Sequence, residues 1–292
     1  MRNNKPLIAG IGELLWDVFP DGRKAGGAPV NFVYHATCMG AEGCAVSAVG
    51  DDADGAEIVA ELERNNIGNC IGKVDRPTGR VLVELQDGSP AYTIVEDVAW
   101  DYIPLTRTAL DLVREADAVC FGTLAQRSPV SRATVKALLD VAPARALRLF
   151  DVNLRQNYYS ADLIDESLRS ANVLKVNGEE LATLRSMFAL GDNGGDDAAC
   201  RFFIDKYSLR YLILTAGSIS STVYSHDGVS RIPSPAVKVA DTVGAGDSFS
   251  GAFVYSILTG ASVNEAHRQA VDTAAFVCTQ QGAWPPYQNQ NV

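Results

Sequence analysis

Val239–Phe253 reads VADTVGAGDSFSGAF, and the chemistry and fold of the chain turn on this stretch. Gly244, Ala245 and Gly246 are small enough to let backbone N–H groups turn toward a bound anion. The run Ser248–Leu258 then supplies a helix whose positive dipole end faces that anion. Asp247 falls in the first turn, where a carboxylate can cap the helix and also face a ligand. Amides that hold a phosphate beside an acid that takes a hydroxyl proton suit phosphoryl transfer. The same residues also describe an ordinary helix cap behind a flexible turn, because short glycine motifs do not separate the two. The rest of the chain has to decide.

Around this stretch, short apolar runs alternate with helical ones. Strands are expected at Leu7–Gly12, Cys44–Gly50, Ala118–Thr123, Arg148–Asn153, Val173–Asn177 and Tyr211–Ala216. Their apolar residues are continuous, as in strands covered on both faces. Pro129–Val141 carries apolar residues at helical spacing behind a Ser128-Pro129 cap. Such alternation implies an α/β fold with a mostly parallel sheet between two helical layers, and a ligand crevice beyond the carboxyl ends of the strands. Gly79–Val98 breaks the rhythm: it alternates apolar and polar residues about an Asp87-Gly88 hairpin signal. A small sheet standing off the body is expected there, serving as a lid, an interface, or both.

Composition narrows the function classes. With 25 Lys and Arg against 35 Asp and Glu, the formal charge is −10, and no basic cluster is present. Nucleic acid and anionic membrane are therefore poor partners. No apolar run reaches the length of a membrane span, and the N-terminal LIAGIG is read as a first buried strand rather than a leader. The six cysteines form no Cys-x-x-Cys pair and the three histidines are far apart, so neither zinc nor a Ser-His-Asp triad is signalled. Scattered cysteines in a chain of 292 residues point to reduced thiols and a cytoplasmic location.

Four further stretches could carry chemistry. Ala25–Asn31, AGGAPVN, follows Asp17, read here as lying at the end of the first strand unit. Gly26 and Gly27 allow close approach, while Asn31 and Asp17 offer directional hydrogen bonds to a polyol. Asp151–Arg155, DVNLR, ends a strand, and Arg155 could clamp an anion or fork onto hydroxyls. In Lys175–Glu180, KVNGEE, Asn177 and Glu180 would share a helix face and could order Mg²⁺ waters; a capping box explains the same spacing. Thr215–Ser221, TAGSISS, could line a nucleotide or form a plain turn. No G-x-x-x-x-G-K-[ST] loop, protein-kinase catalytic loop or G-x-G-x-x-G after the first strand occurs.

Taken together, AGGAPVN, GDDADG (Gly50–Gly55), KVNGEE, TAGS and DTVGAGDSF (Asp241–Phe249), in that order over nearly the whole chain, resemble the PfkB (ribokinase-like) family of sugar kinases. The resemblance implies one Rossmann-like three-layer α/β/α kinase domain over 1–292, with a β-lid from about 13–30 and 78–100. It implies transfer of the ATP γ-phosphoryl to a sugar hydroxyl, with Asp247 as base and the Gly244–Asp247 amides as anion hole. Asp17, Gly26, Gly27, Asn31 and Arg155 would then hold the sugar. Lys175, Asn177, Glu180, Thr215 and Gly217 would serve the nucleotide, Glu180 acting on Mg²⁺ through water. Many members bind a monovalent cation beside the position of Asp241 and the Thr279–Gly282 loop, which adds K⁺ to the expected ions. A homodimer through the lid is a further expectation. FGTLAQRSPVSR (Phe121–Arg132), AWDYI (Ala99–Ile103) and DVNLR look most like the fructokinase branch. The DVNLR arginine also resembles one found in 2-keto-3-deoxygluconate kinases, and ribokinase-type activity or a non-catalytic sugar-binding regulator are the other readings.

Overall fold

The computed structural model describes residues 5–86, 89–191 and 194–287. In chain order it has β1 (Leu7–Ile11), β2 (Leu15–Phe19), β3 (Gly22–Gly26), α1 (Ala28–Cys38), β4 (Glu42–Gly50), α2 (Ala53–Arg64) and β5 (Gly68–Val74). Next come β6 (Gly79–Gln86), β7 (Ser89–Ile94), α3 (Arg107–Glu115), β8 (Ala118–Gly122), α4 (Pro129–Val141), β9 (Leu147–Asp151), α5 (Ala161–Ser170) and β10 (Val173–Asn177). The chain closes with α6 (Gly178–Met187), α7 (Gly195–Tyr207), β11 (Tyr211–Thr215), β12 (Ser220–Ser225), β13 (Gly228–Pro233), α8 (Ala245–Leu258) and α9 (Val263–Cys278).

Nine strands form one sheet in the order β5-β4-β1-β8-β9-β10-β11-β12-β13, with every pairing parallel except β11–β12 and β12–β13, so that β12 alone runs reversed. Its central strands are mostly apolar because successive residues feed two different cores. Ile11, Val119, Phe121, Phe150 and Leu174 face one layer, with Leu138 of α4, Leu168 of α5 and Phe203 of α7. Ile8, Cys120, Leu149 and Val173 face the other, with Phe32 of α1, Phe253 of α8 and Ala270 of α9. All six expected strands are present, to within a residue or two at their ends. The apolar-run reading left out β5 and β13, edge strands with more exposed residues, and β12, whose buried positions include Ser and Thr.

The sequence order reverses at β1, which lies between β4 and β8. A crevice therefore opens at the carboxyl ends of the central strands. Over it stands a separate four-stranded sheet, β3-β2-β6-β7. Gln86 pairs with Ser89 in the β6–β7 hairpin; the Asp87-Gly88 turn itself lies outside the described residues. One expectation is corrected here. Asp17 does not end the first strand but sits mid-way along β2, opposite Lys24 of β3 and Val81 of β6.

The small sheet is anchored to α2. Arg23 and Arg80 both pair with Asp54, and Arg23 also reaches Glu57. Asp52 of the GDDADG stretch caps α2 by accepting the Gly55 N–H at 2.7 Å, and its other oxygen takes the Thr78 N–H at 2.9 Å. That carboxylate thus fixes where the chain leaves the body for β6. Trp16 adds an indole N–H bond to the Asp54 carbonyl at 3.1 Å.

Candidate active site

α8 begins at Ala245, three residues before the expected start, so Asp247 lies inside its first turn. Gly244 makes this possible with φ 78°, and a Cβ there would stand 2.9 Å from Ala283. No side chain caps the helix. Apart from Ala245, its first-turn amides therefore remain available to an anion. The Ala245 N–H donates to the Thr242 carbonyl at 3.3 Å.

Gly244, Gly246 and Asp247 line a cavity of about 550 Å³ between the body and the small sheet. That volume lies within the usual range for small-molecule sites. The small sheet contributes Leu15, Asp17, Phe19 and Val81, alternate residues of β2 with their cross-strand neighbour. Gly27 and Asn31 enter from the start of α1. Gly27 has φ 119°, and a Cβ on it would fall 2.1 Å from the Glu13 carbonyl, so only glycine fits. Arg155 enters from the loop after β9, between Asn153 and Gln156, both with positive φ.

Asn177 and Glu180 also line the cavity, and they do form a capping box. Asn177 Oδ1 accepts the Glu180 N–H at 2.9 Å, and Glu180 Oε2 accepts the Asn177 N–H at 2.8 Å. Glu180 Oε1 takes the Leu154 N–H at 3.1 Å, tying the DVNLR loop to α6. Each oxygen keeps a lone pair for water. Among the described residues no group of three or more His, Cys, Asp or Glu could hold a metal. The donor set therefore fits a hydrated Mg²⁺ carried by phosphates rather than an all-protein cage.

Lys175 is buried beneath the start of α8, its Nζ 3.0 Å from where a Gly246 Cβ would stand. It pairs at 3.0 Å with Asp151, its register neighbour on β9. Burial alone would pull the ammonium down, but Asp151, Glu180 and Asp247 outweigh that and hold it charged. The lysine is thus a fixed positive charge behind the amides.

Five expected residues stand outside the lining: Ala245, whose N–H is taken by the Thr242 carbonyl, and Gly26, Thr215, Gly217 and Asp241. Gly26 packs against Asp17, with its Cβ position 2.5 Å from Oδ2. Thr215 lies beside Asn177 on the next strand, and Gly217 turns the chain after it with φ 54°. Asp241 accepts the Val243 N–H at 3.1 Å and the Gly282 N–H at 2.9 Å, which does place it against the 279–282 loop.

Asp247 Oδ2 accepts a 2.8 Å hydrogen bond from Asn31 Nδ2. Burial, then repulsion from Asp151, push its carboxyl up to about 6, against the pull of Lys175, Asn31 and Arg155. Burial likewise raises Asp17 to about 6. Three residues that matter here were missed from sequence. Glu13 follows β1 directly; it is buried and raised to about 7 by desolvation. Its Oε1 accepts the Ala28 N–H at 3.2 Å, while Oε2 has no partner among the described residues. A carboxyl one step past a buried strand was the available signal. Asp151 and Trp284 act through partners 24 and 253 residues away, which no local pattern shows.

A family model described as pfkB family carbohydrate kinase matches residues 13–290. The protein named probable fructokinase-5 from Arabidopsis thaliana is 30% identical, covering 97% of this chain and 94% of its own length. Fructokinase-2 of Solanum lycopersicum is 28% identical over 96% of this chain and 92% of its own. A sugar kinase from Pyrococcus horikoshii, PH1459, solved in complex with ATP, superposes with a TM-score of 0.81 at 28% identity, covering 95% and 94% of the two chains. The match runs from Glu13 through the Asp247 turn and beyond Trp284, so the whole site lies within it. The chain belongs to the pfkB family of carbohydrate kinases, phosphotransferases that act on a sugar alcohol group.

Proposed function

We propose that the protein transfers the γ-phosphoryl of ATP to the 6-hydroxyl of fructose, with Asp247 as general base. The observation that carries this reading is the Asp247 carboxylate in the first turn of α8, one oxygen held by Asn31, facing a cavity closed by the Asp17 sheet. The sugar hydroxyl approaches Oδ1, the oxygen Asn31 leaves available. As the new O–P bond forms and the bond to ADP breaks, the hydroxyl proton passes to Asp247. A carboxyl with an ordinary pKa near 4 is a weak base for an alcohol. Pushed up to about 6, Asp247 is a stronger base that is still mostly ionised at neutral pH. The transition state is loose, so positioning and charge do most of the work. The amides of Gly244–Asp247, with Lys175 behind them, face the migrating phosphoryl.

In this reading ATP runs from that turn over Asn177 toward Thr215 and Gly217 at the edge of the sheet. Mg²⁺, when bound with ATP, neutralises phosphate charge, and Asn177 and Glu180 would order its waters. K⁺ would brace the junction of Asp241 with the 279–282 loop and takes part in no chemical step. Residues 13–30 and 78–100 form the lid of a single kinase domain. Tyr92, at the cavity mouth and 52% exposed, suggests that a second copy's lid covers it in a homodimer. A cytoplasmic home accords with an ATP substrate and six unpaired cysteines.

The choice of a neutral ketose rests on charge. Glu13, Asp17 and Asp247 line the acceptor side of the cavity, against Arg155. A polyol is hydrogen-bonded by such a set, whereas an acidic sugar adds a repelled carboxylate. The fructokinase names among the relatives support the same choice. Arg155 favours the second reading, an acidic sugar such as 2-keto-3-deoxygluconate. ATP consumption with fructose, ribose and 2-keto-3-deoxygluconate tests it: fructose should give the highest kcat/KM. A clear preference for the acidic sugar would overturn the assignment.

A further inference from the structure

Residues from opposite ends of the chain meet behind the base. Tyr34 of α1 stacks on Trp284, with ring centroids 5.3 Å apart and planes 5° apart. The Tyr34 hydroxyl donates to the Pro285 carbonyl at 2.6 Å, and His35 Nδ1 lies 2.8 Å from the Tyr287 hydroxyl. The segment after α9 is thereby seated along α1. It also meets the anion-binding turn, because Ala283 occupies the space beside Gly244.

From this seat the indole Nε1 of Trp284 donates to Asn31 Oδ1 at 2.7 Å, while Asn31 Nδ2 donates to Asp247 Oδ2 at 2.8 Å. A carboxamide could meet a carboxylate with either end. Its NH₂ end attracts the charge and its oxygen repels it. An indole is a donor only, so it accepts one answer: the amide oxygen faces Trp284 and the NH₂ faces Asp247.

We propose that Trp284 is a positioning residue for phosphoryl transfer: through Asn31 it fixes which end of the amide meets the Asp247 carboxylate, and so where the proton-accepting oxygen points. The consequence for rate rests on Asp247 being the base; the relay itself does not. The charged and titratable groups that face Asp247 from the packed elements are Glu13 after β1, Asp17 on β2, Cys120 on β8, Asp151 and Lys175 on β9 and β10, and Arg155 in the loop beyond. None of them changes when the indole N–H is removed.

Two measurements test the relay. The chain has three tryptophans, so ¹⁵N spectra hold three indole signals, and Trp284→Phe assigns one of them. Trp16→Phe and Trp100→Phe assign it by elimination should that variant not fold. In the wild type the Trp284 signal should follow an ionisation with a midpoint near 6, and the inflection should vanish in Asp247→Asn. In the kinase assay Trp284→Phe keeps the ring stack and loses only the donor. Its freed amide can turn its oxygen to Asp247, so the acid limb of kcat/KM should move up by about half to one pH unit and kcat should fall about three- to tenfold. A Trp284 signal blind to Asp247, or a Trp284→Phe profile that overlays the wild type, would overturn the proposal. If no sugar were phosphorylated while the indole still titrated with Asp247, the kinase reading would fall and the relay would stand.

Discussion

Replacing Asp247 with asparagine should disable the enzyme and at the same time stabilise the fold. The carboxyl is half-buried in the cavity wall, and its pKa rises from an ordinary 3.8 to about 6 because desolvation and Asp151 disfavour its charge. A raised acid pKa means that the native state binds the proton more tightly than the unfolded chain. Stability is therefore lost as pH rises from the unfolded value through the folded one, and it stays lost above that. About two units at 1.36 kcal/mol each give an upper bound of ~3 kcal/mol at pH 8. Coupling to Lys175 and to the other carboxyls brings the expected gain from Asp247→Asn down to about 1–3 kcal/mol. An asparagine can still accept the Asn31 N–H through its oxygen, so the geometry is kept and only the proton acceptor is lost.

In a protein of this size, such a gain corresponds to a rise in Tm of roughly 2–6 °C at pH 8. At pH 5 the native carboxyl is already mostly protonated, and the difference should shrink to roughly half. Calorimetry at the two pH values reads this directly, while kcat should drop by about 10²–10⁴. An inactive Asp247→Asn protein with an unchanged or lower Tm at pH 8 would refute the reasoning, because the carboxylate would then not be under electrostatic strain. Wild-type turnover in that variant would remove Asp247 from the mechanism altogether.

Other outcomes follow from the same geometry. With the base at about 6, kcat/KM for the wild type should fall on the acid side with a midpoint near that value, measurable as a pH–rate profile. Lys175→Met leaves Asp151 buried without its cation and should cost about 3–5 kcal/mol, read by urea denaturation, with Asp151→Leu in the same chain restoring much of it. Gly244→Ala meets both a positive φ and Ala283, so about 1–3 kcal/mol of stability and much of kcat should be lost together. Light scattering should give a mass about twice the 31.2 kDa chain, and Tyr92→Lys should shift it toward the single chain.

How much of this could be read from sequence depends on how far apart the interacting residues lie. The main strands and α4 were legible because each is fixed by its own apolar pattern against two cores. The Asp247 turn, the capping box at Asn177 and Glu180, and Gly27 were legible because their chemistry is local, whereas Gly26 packs against Asp17 outside the cavity. β2 and β3 were expected only through the family resemblance, as the 13–30 part of a β-lid; the apolar-run reading did not give them, because their residues alternate between the cavity and Trp16's side rather than forming an apolar block. Lys175 illustrates a deeper limit. The resemblance set it among the residues that serve the nucleotide, but strand order sets it opposite Asp151, and only that adjacency makes it a buried, permanently charged support. The relay from Trp284 through Asn31 to Asp247 is further still from any local pattern, joining three residues drawn from both ends of the chain. Asn31 was read as a sugar contact because an exposed asparagine after two glycines would be one. In the structure both ends of its amide are engaged, by Trp284 and Asp247, so only a spare N–H and lone pair remain for a sugar hydroxyl. A family motif can thus bring residues to attention while the three-dimensional pairing decides what each one touches.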